Sequence, residues 1–156
     1  MRIATIAVAV LAAAACAKTV KVQTDPSTGH VDVDTGRPGA MEGWSGTLHP
    51  VGGSNVSGTA RGTSGHDMTM VTVSVSGAQP GARLPWHVHE GKCGEGSPPV
   101  VGPASAYPVM TVGADGRATA QAHLDMDLNE AKSYIVNVHA SPTNLGTIVS
   151  CGDFDD

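Results

Sequence analysis

The residues best suited to chemistry stand in "LPWHVHEGKC", positions 84–93, where His87 and His89 flank one valine and Cys93 follows four residues later. Alternate residues on an extended strand point the same way, with Cα atoms roughly 6.7 Å apart. Two imidazoles so placed can converge on one metal ion, each through one ring nitrogen. A third imidazole from a neighbouring strand would close a set suited to copper or zinc. The pair alone is equally compatible with two solvated histidines.

Strand parity identifies a third imidazole. In 84–89 the apolar residues Leu84, Trp86 and Val88 form one face, which sends His87 and His89 to the other. In 133–139, Tyr134, Val136 and Val138 form the apolar face and set His139 beside Asn137 on the outer side. Three histidines from two strands therefore share the outward face. His123 is expected at the surface, as are His49 before Pro50 and His30 in a polar, turn-rich stretch.

The elements that must carry these residues read as β throughout. From Trp44 onward, short β-like runs near 44–49, 56–62, 68–77, 84–89, 107–112, 117–124, 133–139 and 147–152 are separated by turn signals such as "VGGSN", "AQPGA" and "GADG". No amphipathic helix is evident. Eight short strands in little more than about 100 residues predict an all-β fold, an antiparallel Greek-key sandwich or flattened barrel.

The first residues, "MRIATIAVAVLAAAACAK", place Arg2 before an apolar run that ends at Cys16. The run is short of the roughly 20 residues that cross a bilayer, and has the form of a signal peptide over 1–15. The cysteine after Ala-Ala-Ala predicts lipidation of Cys16, with simple cleavage as the alternative. Residues 16–42 read as a lipidated N-terminus and flexible tether, and 43–156 as the folded domain. Export to a bacterial cell envelope or periplasm follows, with the membrane contacted only through the lipid.

In an oxidising compartment, Cys93 and Cys151 are most simply one disulfide, stabilising the fold by about 4 kcal/mol in a loop-entropy picture. A catalytic thiol pair is disfavoured because no Cys-x-x-Cys is present. Nine Lys and Arg stand against fourteen Asp and Glu, a formal net charge of −5 that argues against a nucleic-acid partner.

Taken together, "WHVHEGKC", "SYIVNVHA" and "IVSCGD" resemble the copper–zinc superoxide dismutase family in content and order; "GADGRATA" and "GTLHPVGGSNVSGTA" fit the same pattern loosely. The resemblance spans residues 44 to 154. It implies a Greek-key β-barrel, one copper ion held outside it by His87, His89 and His139, a Cys93–Cys151 bridge, and disproportionation of superoxide. The family's long loop carries a bridging histidine, further zinc histidines and a zinc aspartate. Here that loop is "GEGSPPVVGPASA", residues 94–106, with neither residue type, so the zinc site and the fourth copper histidine are expected to be absent. The family's anion-guiding arginine, three residues before its last cysteine, is replaced by Ile148. Arg83 and Lys92 flank the His-x-His strand as ordinary surface charge, and solvent or Glu90 is left as the proton source.

Two other readings remain. One is a copper-binding protein that stores the ion without turnover. It draws on "GHDMTM", where His66, Met68 and Met70 share the polar parity of their strand and form a candidate Cu(I) site, unless a bulge turns the methionines inward. The other is an interaction module on a retired metalloenzyme fold, its histidines relics.

Overall fold

A computed structural model describes residues 21–24, 31–34, 41–96 and 98–156. The expected leader, Cys16 and His30 lie outside these residues. The chain divides into two units, Met1–Pro38 and Gly39–Asp156. Among the described residues no helix is long and apolar enough to cross a membrane.

Within the first unit, β1 (Lys21–Thr24) pairs antiparallel with β2 (Val31–Asp34). The expected tether thus contains a hairpin. Its basis is local: "KVQT" and "VDVD" each alternate β-branched residues with others, the two-residue period of a strand.

The second unit is built from β strands, as expected. These are β3 (Glu42–Pro50), β4 (Ser57–Gly65), β5 (Met68–Ser76), β6 (Arg83–Leu84), β7 (Trp86–Glu90), β8 (Met110–Thr111), β9 (Ala118–Leu124), β10 (Tyr134–Ser141) and β11 (Asn144–Phe154), with one 3-10 turn at Ala104–Ala106. Seven of them form a curled antiparallel sheet in the order β7-β10-β11-β3-β4-β5-β9, and β6 pairs with β8. The sheet folds over along the short β11–β3 seam, where Ser150 faces Pro50 and Cys151 faces His49. The chain crosses from one end of this sheet to the other between β5 and β7, and again between β9 and β10.

Prolines explain where the strands differ from expectation. Pro85 has no N–H to offer a ladder and splits the expected 84–89 strand into β6 and β7. Its carbonyl instead accepts from the His139 N–H at 2.8 Å. Pro103 and Pro108 bracket the 3-10 turn and shorten the expected 107–112 strand to β8. At the C-terminus Asp153, Asp155 and Asp156 are exposed, while the backbone of Asp155 exchanges both hydrogen bonds with Ser45.

Alternation along each strand fills the core. Val71, Val73 and Val75 of β5 meet Ala118, Ala122 and Leu124 of β9 and Trp86, Val88, Val136 and Val138 of the facing layer, all buried. All five aromatic residues are inside. Trp44 packs against Tyr134 and Phe154 at ring-centroid distances of 5.5 and 5.8 Å. Trp86 meets Tyr107 edge-on and donates its indole N–H to the Pro108 carbonyl.

Candidate metal centre

β7 and β10 lie side by side, with Asn137 opposite His87 and Ile135 opposite His89. His139 follows two residues after Asn137 and so stands diagonally from His87 on the same face. The outward parity read from the sequence therefore holds. What parity does not reveal is that the three rings are covered: His87, His89 and His139 are 8%, 7% and 4% exposed.

The cover is the segment after β7. Glu90 N–H donates to the Pro99 carbonyl, Val101 N–H donates to the Val88 carbonyl, and Val100 bridges to His89. Cys93 in this segment is disulfide-bonded to Cys151, as expected, with Cα atoms 6.0 Å apart. Cys151 is the β11 partner of Asn137, so the bridge pins the cover to the cross-strand row that carries His87.

The three imidazoles converge. One ring nitrogen from each lies within 4.8 Å of the others. His87 Nδ1 and His139 Nε2 are 3.0 Å apart. Two backbone carbonyls set the rings: His89 Nδ1–H donates to Pro98 at 2.8 Å and His139 Nδ1–H donates to Leu145 at 2.6 Å. A carbonyl only accepts, so both rings carry their proton on Nδ1 and present an unprotonated Nε2. His89 Nε2 is buried and has no hydrogen-bond partner. A buried nitrogen lone pair without a donor is costly, and a cation is what this one fits.

The electrostatics agree. Burial, reinforced by the charges His139 and His89 would carry, lowers His87 to about 4. Burial also lowers His89 and His139, against the opposing pull of the Pro98 and Leu145 carbonyls. All three are neutral at pH 7, the form that ligates metal. The donor set is three neutral imidazoles, suited to copper or zinc.

The rings open into a pocket of about 210 Å³ whose walls include Pro98, Val100, Leu145 and Ile148. No Asp, Glu, Lys or Arg is among its lining residues. Ile148 is the direct cross-strand partner of His139 and faces the site with an alkyl chain. Arg83 and Lys92 are exposed and do not line the pocket. Glu90 is not available as a proton source, because it points to the other side of β7 and pairs with Lys132 at 2.8 Å.

The other candidates are not drawn into this group. His66 sits exposed in the two-residue β4–β5 turn, Met68 is exposed and Met70 half-buried on the polar face of β5. The strand carries no inward turn of the methionines. His49 and His123 are exposed, as expected. The sequence reading missed the Pro98 and Leu145 carbonyls, which leave no residue-type signature, and Tyr107, whose ring packs edge-on to His87 at 5.2 Å.

Comparison of the chain with models of known protein families gives no match, and comparison with curated proteins gives none either.

Proposed function

We propose that this chain is an exported copper protein, held at a bacterial cell envelope by a lipid on Cys16, that slowly disproportionates superoxide to oxygen and hydrogen peroxide. The observation that carries the reading is the buried, partnerless Nε2 of His89, a residue whose ring is grouped with those of His87 and His139. The likeness of "WHVHEGKC", "SYIVNVHA" and "IVSCGD" to the copper–zinc superoxide dismutases supplies the activity. Bound copper would supply a one-electron couple that takes an electron from one superoxide and returns it, with two protons, to a second.

The chain's own residues do the rest. Pro98 and Leu145 hold two rings in the ligating tautomer. His87 would bind through Nδ1 as the other neutral tautomer, with its proton carried on Nε2. Protons for peroxide come from solvent, since no acid lines the pocket. With Ile148 in place of a cation, an overall negative chain does nothing to draw in an anion, and capture is slow.

That same lack of charge favours a second reading, a protein that binds copper without turnover. Stopped-flow superoxide decay per bound copper separates the two, with His139→Ala as reference. Decay faster than the variant, yet below the diffusional ceiling of about 10⁸–10⁹ M⁻¹s⁻¹, is the expected result. Stoichiometric copper with decay no faster than the variant leaves a copper holder. Failure to bind copper at all removes both.

A further inference from the structure

The outer face of β3, β4, β5 and β9 is mostly hydroxylic. Thr47, Thr59, Ser74 and Thr119 form one cross-strand row, and Ser45, Arg61, Thr72 and Gln121 another. The rows nearest the β4–β5 turn depart from this. Gly43, Thr63, Met70 and His123 form one, so Met70 and His123 are direct neighbours across β5 and β9. Gly65 and Met68 are partners in the next. Continuing the β3–β4 register by one residue sets Met41 opposite Gly65.

Met41 and Met68 are 39% and 38% exposed, where apolar side chains gain little from burial. Gly65 puts no side chain between them. Their Cα atoms are about 10 Å apart, two strand spacings, within joint reach of two flexible thioethers. His123 lies directly across from Met70 and diagonally from Met68, with direct Cβ neighbours about 5 Å apart. His66, in the turn, is not placed in either row.

We propose that Met68, Met70 and His123, with Met41 closing the set, form a second, surface site for a cuprous ion, distinct from the three-histidine group. Thioethers are soft donors that select Cu(I) over harder divalent ions, and one imidazole completes a neutral set. The singly charged ion is also the lightest electrostatic burden beside Arg61, which shares a shallow hollow with Met70. This site stands whether or not the three-histidine group turns over.

The test uses silver(I), a soft ion of the same charge that does not change oxidation state. The full chain carries ¹³C-labelled methionine methyls, and the ion is titrated while the methyl and histidine-ring resonances are followed. The methyls of Met41, Met68 and Met70 are expected to shift together and saturate at one equivalent, with the His123 ring. Core Met110 is expected to stay in place. The Met68→Leu/Met70→Leu variant keeps the apolar shape and is expected to lose this equivalent while silver still perturbs His87, His89 and His139. Methyls unmoved at stoichiometric silver, equal shifts with zinc(II), or an equivalent retained in the double variant would each overturn the proposal. Shifts unaltered by His123→Asn would remove that residue and the geometry that defines the site. Loss of metal at the three-histidine group alone leaves the methyl shifts standing, so the two readings fail separately.

Discussion

Because a carbonyl oxygen only accepts, the contacts of His89 with Pro98 and of His139 with Leu145 decide which nitrogen of each ring is free. Neither contact was legible in the sequence, since any residue type supplies a carbonyl; the imidazoles themselves were legible, since a two-residue period fixes which face they share. Burial makes the rings a source of pH dependence. In the metal-free folded chain all three titrate below the ordinary value, His87 near 4, while in the unfolded chain they titrate near 6.5. Below that unfolded value the unfolded chain binds protons that the folded one refuses. Stability is therefore full above pH 6.5 and falls as pH drops toward the folded values, by at most about 1.4 kcal/mol per pH unit for each ring. Urea unfolding of chelator-treated protein between about pH 7 and pH 4.5 is expected to show that fall, and His87→Gln to flatten it. Ile148 gives a second residue-level expectation. Ile148→Arg puts a cation across the strand from His139, and superoxide decay per copper is expected to rise about tenfold at low salt, with the gain shrinking as salt screens the charge.

At the scale of the element, the seam between β11 and β3 depends on side chains that are not there. A Cβ at Gly152 would lie 2.2 Å from the Thr47 carbonyl oxygen, and one at Gly46 would lie 2.2 Å from that of Asp153. Both obstructions are backbone, so neither can swing aside. Gly152→Ala is expected to lower stability by about 3 kcal/mol, read from the denaturant midpoint, with the whole fold weakened because the seam joins its two halves. The β4–β5 turn is the opposite case. His66 and Asp67 both adopt positive φ, 60° and 59°, in a two-residue hairpin where Asn-Gly is the preferred pair. His66→Asn with Asp67→Gly is expected to raise stability by about 1 kcal/mol by the same measurement. The strands bounded by glycine and polar turns were legible in advance. Those interrupted by proline were not: the apolar run around Pro85 continues through a residue that cannot join the ladder.

Across the whole molecule, one covalent bond and one stretch of cover tie the site to the fold. Reducing Cys93–Cys151, or Cys93→Ser with Cys151→Ser, is expected to cost about 4 kcal/mol in denaturant unfolding. It should also weaken metal binding about 10- to 100-fold, because the freed cover carries the Pro98 carbonyl that orients His89. The chain order of histidines and cysteines made the bridge and the three-ring group readable across a separation of 58 residues. The cover's own role was not readable, since it has no histidine or aspartate to announce it. β7 stands at the end of its sheet, and its outer backbone groups at Val88 and Glu90 are taken by Val101 and Pro99. An uncovered strand there would offer open hydrogen-bonding positions to any other extended chain. The covering segment thus doubles as a guard against strand-by-strand aggregation, and the oxidised cysteine pair is what keeps the guard in place.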